Sequence, residues 1–265
     1  MSFPLFSRKA TPSVDSELVL QDARKIISRQ ISEPSRRSFL TRSLSLGGLA
    51  LLSGCAIDDN DQVENVLMSV SRWNDRVQAA LFNPNTMAPT FPASMITRPF
   101  PFNAFYGEDE APEVDEADYE LSVTGLVADK KSWRLDELRA MPQTDQITRH
   151  ICVEGWSAIG RWGGVRFSDF LKRVGADTTA KYVGFKCADD YYTSIDMPTA
   201  LHAQTQLTLT YDGQTLPRKY GFPMKVRIPT KLGYKNPKHI ESIFVTNTYP
   251  GGYWEDQGYN WFGGS

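Results

Sequence analysis

The apolar residues between Val63 and Leu81 recur every three or four positions. That spacing places them on one face of a helix. The pattern therefore predicts an amphipathic helix that packs either on the body of the protein or on a membrane partner. The stretch that follows, residues 83–101, is rich in proline and small residues, which predicts an extended surface loop.

From about residue 119 the pattern changes to the alternation of β-strands. Two short helices are also predicted, one over residues 132–141 and one that begins after a cap at Ser168 and ends at Gly175. The predicted strands lie within residues 119–127, 146–153, 180–188, 207–213, 224–229 and 239–248. Strands outnumber helices and their connections vary in length, which predicts an α+β domain with a mixed sheet.

The segment SRRSFLTRSLSLGGLALLSGCA has the composition of an export signal. It contains the pair Arg36-Arg37, then an apolar run over residues 44–52, then small residues, in the order that an export signal requires. SRRSFL resembles the twin-arginine signal, which predicts export of the folded protein to the periplasm. The LSGC sequence ending at Cys55 resembles a lipoprotein box and predicts a lipid anchor; a plain cleavage site or an uncleaved tether are the alternatives.

Composition and motifs exclude several function classes. The 265 residues carry a net charge of −2 and show no basic face or nucleic-acid motif, so no nucleic-acid partner is expected. The histidines, at positions 150, 202 and 239, lack the spacing of a zinc-binding helix. The sequence contains no CxxCH haem motif, no glycine-rich dinucleotide fingerprint, no P-loop and no GxSxG elbow.

The cysteines leave two interpretations open. If Cys55 carries lipid, Cys152 and Cys187 remain, and in an oxidising compartment they could form a disulfide. Alternatively, Cys152 is a thiolate ligand of a redox metal, and Arg149 and His150 supply positive charge that favours its ionised form. The spacing alone does not decide between them.

The residues around Cys152 carry a resemblance to a known family. The segment RHICVEGWSAIGRWGGVRFSDFL resembles the core of the sulfite-oxidase fold of molybdopterin enzymes, especially the periplasmic methionine-sulfoxide reductase branch. PFNAFYGEDE is similar to the family's N-terminal loop over the pterin, and KYGFPMKVRIPTKLGYKNPKHIESI to its late phosphate-binding segment. The resemblance extends from residue 97 to residue 246. It implies a sulfite-oxidase-type molybdopterin-binding fold with mixed β-sheets and short helices.

The resemblance divides the chain into three parts and implies a set of site residues. Residues 1–55 would be the export signal, 56–96 the helix and proline-rich linker, and 97–265 the catalytic domain. Cys152 would bind molybdenum, and Arg149, His150 and Glu154 flank it as candidate catalytic residues, although strand alternation argues against all three facing one pocket. The implied cofactor-binding residues are Asn103, Tyr106, Gly107, Cys187, Tyr220, Lys225, Asn236, Pro237 and Lys238.

Some of these positions depart from the family pattern. Cys187 stands where the family usually has threonine, and Lys225 where it usually has arginine. Tyr220 and the pair Asn236-Pro237 replace the family's usual asparagine and Gly-Ile. These departures are compatible with the same cofactor. They argue against assigning this chain the same substrate as any one family member.

The implied function is two-electron oxygen-atom transfer with a molybdenum–molybdopterin cofactor. The expected substrates are S-oxides such as methionine sulfoxide, free or in peptides. Because the sequence has no haem motif, we expect electrons from a membrane haem or quinone-linked protein or from a soluble cytochrome. The alternatives are a sulfite-type oxidase and a non-catalytic exported lipoprotein with Cys152 in a disulfide.

Overall fold

The computed structural model describes residues 61–265. The predicted export signal, residues 1–55, lies outside the described part. The helices are α1 (Asp61–Leu81), α2 (Leu135–Ala140), α3 (Phe167–Arg173) and α4 (Met197–Ala200). Among the described residues, none of these helices combines the length and the hydrophobicity needed to span a lipid bilayer.

Ten strands form two five-stranded sheets. The strands are β1 (Glu120–Gly125), β2 (Ser132–Arg134), β3 (Gln143–Ile151), β4 (Ser157–Arg166), β5 (Tyr182–Cys187), β6 (Tyr192–Asp196), β7 (Gln206–Tyr211), β8 (Gln214–Thr215), β9 (Lys225–Arg227) and β10 (Ile240–Thr246). The first sheet has the order β2-β1-β10-β5-β6, in which β1 and β10 run parallel and the other pairs antiparallel. The second is antiparallel: β3, β4, β7 and β8 lie in that order, and β9 also pairs with β7.

One hydrophobic core joins the two sheets. It combines the inward residues of β1 and β5 with those of β7 and β9 and with Phe167, Phe170 and Leu171 of α3. A smaller cluster lies beneath β4, where Trp162 contacts Phe100 and Tyr220 edge to face. This smaller cluster supports the segments that approach Cys152.

The predicted α+β class with a mixed sheet is confirmed. All six predicted strands occur, and the sequence pattern missed β4, β6, β8 and the short β2. The predicted cap at Ser168 is wrong, because α3 begins at Phe167 and its N-cap is Arg166. Ser168 therefore lies inside the first turn of the helix.

Helix α1 has the predicted length but presents its apolar stripe outward. Leu67 and Trp73 are each 61% exposed, and Val70 is 57% exposed. The side of α1 that faces the body is fixed by a polar contact, since the buried carboxylate of Asp75 accepts a hydrogen bond of 3.0 Å from the backbone N–H of Phe262. The apolar stripe of these residues therefore does not pack on the body.

Candidate active site

Cys152 lies in a tight turn between β3 and β4. Its backbone N–H donates to the carbonyl of Trp156 (2.9 Å), and its carbonyl accepts from the N–H of Gly155 (3.2 Å). Gly155 has φ = 91°, in the left-handed region that glycine adopts without strain. The turn holds the Cys152 thiol at the end of β3 with only 5% of the residue exposed.

Two polar side chains contact the Cys152 thiol. The Asn103 side-chain amide donates to Sγ at 3.2 Å, and a carboxylate oxygen of Glu154 lies 3.6 Å from Sγ. Burial raises the pKa of the Cys152 thiol above its usual range. Both described cysteines, Cys152 and Cys187, carry free thiols. The structure therefore does not contain the disulfide that the sequence left open.

A cavity of about 280 Å³ opens in front of Cys152. Loops from five parts of the chain meet around it, including the turn after β3 and the segment between β9 and β10. Its lining residues are Phe102, Asn103, Ala104, Phe105, Cys152, Val153, Glu154, Asp189, Tyr191, Gly233, Tyr234, Asn236, Pro237, Lys238, Trp254 and Tyr259. The volume is just below the range of about 300–1,000 Å³ that is typical of small-molecule sites.

Three basic side chains form what we call the cationic cluster: Lys238 lines the cavity, Arg227 contacts the lining residue Asn236, and Lys225 is a charged neighbour of both. We call this part of the cavity its inner side. Lys225 and Arg227 are buried on β9. No carboxylate among the described residues forms an ion pair with any of the three. Arg227 donates to the Asn236 side-chain oxygen (2.9 Å) and to a backbone carbonyl, but its Nε has no partner.

Burial lowers the pKa of all three side chains in the cationic cluster. Burial, followed by repulsion from the other two cations, lowers the pKa of Lys225 well below its usual range. Burial also lowers the pKa of Arg227 to about 9 and that of Lys238 to about 8. Burying charge without a counter-ion is costly. An anionic group bound beside the cluster would offset that cost.

His150 lies against the same inner side. Its ring is buried and neither ring nitrogen has a hydrogen-bond partner. Burial and the neighbouring cations hold its pKa well below the usual range. A Cβ added to Gly233 would lie 2.8 Å from His150 Nε2 and 3.4 Å from the Asn103 amide nitrogen, so only glycine allows the backbone this close. The unpartnered nitrogens and cations fit a polar, anionic cofactor such as the phosphate-bearing molybdopterin.

Six of the thirteen predicted site residues line this cavity, and four more lie behind its lining. Cys152, Glu154 and Asn103 form one part of its wall, and the segment Asn236-Pro237-Lys238 forms another. Lys238 Nζ joins the two parts by donating to the Asn103 carbonyl at 2.7 Å. His150 and Lys225 lie directly behind this wall.

Three predicted residues do not reach the cavity wall. Arg149 alternates with His150 on β3 and is exposed on the opposite face, where its guanidinium carbon lies 5.1 Å from the centre of the Phe91 ring. Gly107 is exposed and precedes a 3₁₀ turn. Tyr220 is buried in the smaller cluster, where its hydroxyl donates to the Phe100 carbonyl at 2.7 Å.

Tyr106 and Cys187 contact the lining without forming it. The Tyr106 hydroxyl donates to the Asp189 carboxylate at 2.8 Å. Cys187, at the end of β5, donates its backbone N–H to the carbonyl of Tyr191 at 3.0 Å. Asp189 and Tyr191 both line the cavity, so these two predicted residues support its wall from behind.

Sequence reasoning missed several lining or supporting residues. Arg227 carried a usable signal, because it repeats the charge of Lys225 two positions along a strand that otherwise reads as core. Trp254 and Tyr259 belong to the aromatic C-terminal segment, for which the sequence favoured no role. Asp189 lies in a turn with no motif, and no pattern in the sequence singles it out.

A model of the oxidoreductase molybdopterin binding domain matches residues 108–254, more than half of the chain. The chain belongs to this family. It is therefore a molybdopterin-dependent oxidoreductase, and its cofactor is molybdenum–molybdopterin. The implied family and enzyme class are confirmed, and the alternative of a non-catalytic protein is set aside.

Two individual relatives show which members of the family this molybdopterin oxidoreductase is similar to. It is 67% identical over 262 residues, 98% of this chain and 100% of the relative, to a protein of Azospira oryzae provisionally named protein-methionine-sulfoxide reductase subunit YedZ1. It is 32% identical over 161 residues to the protein-methionine-sulfoxide reductase catalytic subunit MsrP of Ralstonia nicotianae. That second match covers 55% of this chain and 49% of the relative, so it spans about half the length of that relative.

Among solved structures, the sulfane dehydrogenase SoxCD of Paracoccus pantotrophus is similar with a TM-score of 0.49 and 19% identity. The similarity covers 52% of this chain and 40% of that one. It is too distant to bear on the site.

Proposed function

We propose that this molybdopterin oxidoreductase reduces neutral S-oxides, with methionine sulfoxide as the principal substrate. Relatives that are 67% and 32% identical carry the name of protein-methionine-sulfoxide reductases. Reduction of a sulfoxide consumes two electrons and two protons and releases the thioether and water. When bound, the molybdenum–molybdopterin group supplies two-electron oxygen-atom transfer.

The charge of the cavity is the observation that carries this proposal. Its lining includes two carboxylates, Glu154 and Asp189. Lys238 is the only basic side chain among the described lining residues, and its Nζ already donates to the Asn103 carbonyl. A sulfite anion would meet this acidic wall unfavourably, whereas a neutral sulfoxide would not. The cavity therefore favours S-oxide reduction over a sulfite-type oxidase.

Three side chains at the thiol have separable roles. Cys152 would hold the metal as a thiolate, and coordination would overcome the pKa that burial raises. The Asn103 amide donates to Sγ and fixes its orientation. A Glu154 carboxylate oxygen accepts from the Trp156 indole N–H at 2.9 Å and lies 3.6 Å from Sγ. Glu154 is thus the acidic group placed to hold a proton beside the Cys152 sulfur that would bind the metal.

The inner side of the cavity would hold the rest of the cofactor. The cationic cluster and the unpartnered nitrogens of His150 offer donors to an anionic phosphate and to pterin heteroatoms. The Gly233 backbone packs closely against the His150 ring, which a side chain at this position would displace. These residues would bind and orient the pterin and phosphate of the cofactor. Cys152 would bind its metal, and Glu154 would lie beside the reacting groups.

We further propose that the enzyme works in the periplasm after export by the twin-arginine route. A cofactor inserted in the cytoplasm crosses the membrane only inside a folded protein, which is what the SRRSFL sequence around Arg36-Arg37 serves. A lipid at Cys55 would keep the enzyme at the membrane. Electrons would come from a membrane haem or quinone-linked protein or from a soluble cytochrome.

The test is oxidation of reduced viologen by the molybdenum-loaded protein, with methionine sulfoxide in a short peptide as acceptor. We expect turnover that depends on the S-oxide and falls more than about 100-fold in Cys152→Ser, since losing even an outer-shell partner of a metal costs 10- to 100-fold. Tyr249→Ala changes an exposed side chain outside the lining and should retain turnover within a few-fold. Oxidation of sulfite to sulfate without S-oxide turnover would overturn the proposal.

A further inference from the structure

The outer side of the cavity collects large apolar groups that solvent reaches. We call the set Phe105, Val153, Trp254 and Tyr259 the aromatic rim. Phe105 is 44% exposed, Val153 47% and Tyr259 38%, and all four residues line the cavity that contains Cys152. Exposed apolar side chains gathered at one opening, rather than scattered singly, mark a binding surface.

The aromatic rim is held by ring contacts between two loops. Phe105 stacks on Tyr253 with ring centres 4.9 Å apart and planes inclined by 17°. Trp254 and Tyr259 lie 5.2 Å apart, and the Tyr259 N–H donates to the Trp254 carbonyl at 3.1 Å. These contacts fix the exposed rings in place before any ligand binds.

A buried ion pair anchors the turn between Trp254 and Tyr259. The Glu255 carboxylate accepts from Lys235 Nζ at 2.5 Å and from the Thr193 hydroxyl at 2.7 Å. Gly258 follows with φ = 95°, which lets the chain return toward the cavity. An anchored turn loses little conformational entropy when a ligand packs on it.

The opening combines acidic groups with the exposed rings. Glu154 and Asp189 lie in the same lining. A free amino acid brings both an α-carboxylate and an α-ammonium toward these acids, whereas a residue inside a polypeptide brings neutral amides. Only a polypeptide also brings a neighbouring side chain that can cover the exposed rings, so the rim favours an oxidised methionine within a polypeptide.

We propose that the aromatic rim is a subsite for an apolar side chain adjacent to the oxidised methionine of a polypeptide substrate. The proposal rests on the S-oxide reductase function proposed above and names its substrate class more closely. Tyr259 lies beyond the residues that the family model matches, which end at 254.

The experiment compares three acceptors on the molybdenum-loaded enzyme: a peptide with leucine beside methionine sulfoxide, the same peptide with glycine there, and free methionine sulfoxide. The variants are Tyr259→Ala, Tyr259→Phe and, as matched control, Tyr249→Ala. Tyr249 is 41% exposed and is not part of the cavity lining. Binding of the leucine peptide is also measured by calorimetry on the oxidised enzyme without reductant, which reports affinity apart from turnover.

For the wild type we expect a lower KM for the leucine peptide than for the glycine peptide. Tyr259→Ala should raise the leucine-peptide KM and its dissociation constant by about tenfold, because burying part of a leucine side chain is worth about that factor. kcat and the KM for free methionine sulfoxide should stay within about twofold. Tyr259→Phe should restore the wild-type values, and Tyr249→Ala should match the wild type throughout.

Two failures are distinguishable. If the wild type reduces methionine sulfoxide but shows no preference for the leucine peptide, or if Tyr259→Ala leaves both constants unchanged, the subsite is disproved and the reductase function stands. If no S-oxide is reduced by enzyme with molybdenum bound, the reductase function itself fails. A fall in kcat for every acceptor in Tyr259→Ala would assign the residue to the fold rather than to substrate binding.

Discussion

The cationic cluster and the aromatic rim lie on one cavity but have opposite chemistry. The cluster buries charges that the described protein does not neutralise, whereas the rim exposes rings that it does not cover. Each is unfavourable in the free protein, the first because of desolvation and the second because of apolar exposure. Both costs are offset by a ligand. The cavity is therefore built for two different ligands, an anionic cofactor inside and an apolar polypeptide outside.

A second buried lysine, Lys235, shows that the fold is able to pair a buried amine, although Lys231 outside the cluster is also buried without a hydrogen-bond partner among the described residues. Lys235 is as deeply buried as Lys225, yet its Nζ donates to the Glu255 carboxylate and to the Ser194 carbonyl. Lys225 has only a cation–π contact, with Nζ 4.8 Å from the centre of the Trp162 ring. The fold is able to pair a buried lysine, and at Lys225 it does not.

The largest expected effect separates these two lysines in the apoprotein. Lys235→Met leaves Glu255 buried without its partner and should lower the free energy of unfolding by about 3–5 kcal/mol. Lys225→Met removes a desolvated amine that has no carboxylate partner and should raise the free energy of unfolding by about 1–3 kcal/mol. Urea unfolding of protein prepared without cofactor measures both.

The opposite signs of the two changes in unfolding free energy distinguish Lys225 from Lys235. If Lys225→Met destabilised the apoprotein as much as Lys235→Met, Lys225 would be an ordinary structural residue and the comparison would fail. Lys186→Met, an exposed lysine on β5, serves as the neutral control and should change stability by less than about 0.5 kcal/mol.

A smaller effect concerns pH. Burial lowers the pKa of Lys238 from 10.5 to about 8, so between these values the unfolded chain binds more protons than the folded one. The stability of the apoprotein should therefore rise with pH from about 8 toward 10.5. Bound cofactor should flatten this rise, because a neighbouring anion restores the lysine pKa.

Unfolding curves of apo and loaded protein at pH 8.0 and about 9.5, below the usual tyrosine range, give the two slopes. Lys238→Met should reduce the apoprotein slope without needing cofactor, and the remaining slope comes from other buried bases such as Lys231, whose pKa burial lowers to about 7. An equal slope in apo and loaded protein would show that no anion binds near Lys238.

The smallest expected effect tests the charge of the outer side. Peptides that place lysine two residues from methionine sulfoxide should have a KM about two- to threefold lower than peptides with glutamate there, because exposed charge pairs contribute little. The difference in KM between the lysine and glutamate peptides should become smaller in high salt. It should also become smaller in the Glu154→Gln variant. A preference for glutamate would contradict the acidic character of the opening.

Much of the inner site was predictable from sequence, and most of the outer site was not. Cys152, Asn103 and the Asn236–Lys238 segment follow contiguous motifs, and the structure brings them to one cavity. Motifs record backbone segments that contact the cofactor, so they identify Cys152 but also include neighbours such as Gly107 that do not reach the wall. Strand alternation argued against Arg149, His150 and Glu154 all facing one pocket, and in the structure Arg149 is exposed while His150 is buried.

The outer side depends on tertiary contacts that no local pattern encodes. Tyr259 reaches the cavity because Glu255 pairs with Lys235, twenty positions away in sequence. Helix α1 is the reverse case. Its 3.6-residue period predicted the helix, but the orientation of its apolar stripe follows from the Asp75 contact with the backbone of Phe262. Periodicity specifies the helix and leaves its orientation to packing.

The central claim is that the inner side of the cavity holds the cofactor and the outer side does not. Molybdenum per protein, measured by mass spectrometry on purified Lys225→Met and Tyr259→Ala beside the wild type, tests it most directly. We expect Lys225→Met to lose at least about tenfold of its molybdenum and Tyr259→Ala to retain the wild-type content. Full molybdenum in folded Lys225→Met, or its loss from folded Tyr259→Ala, would contradict this division of the site.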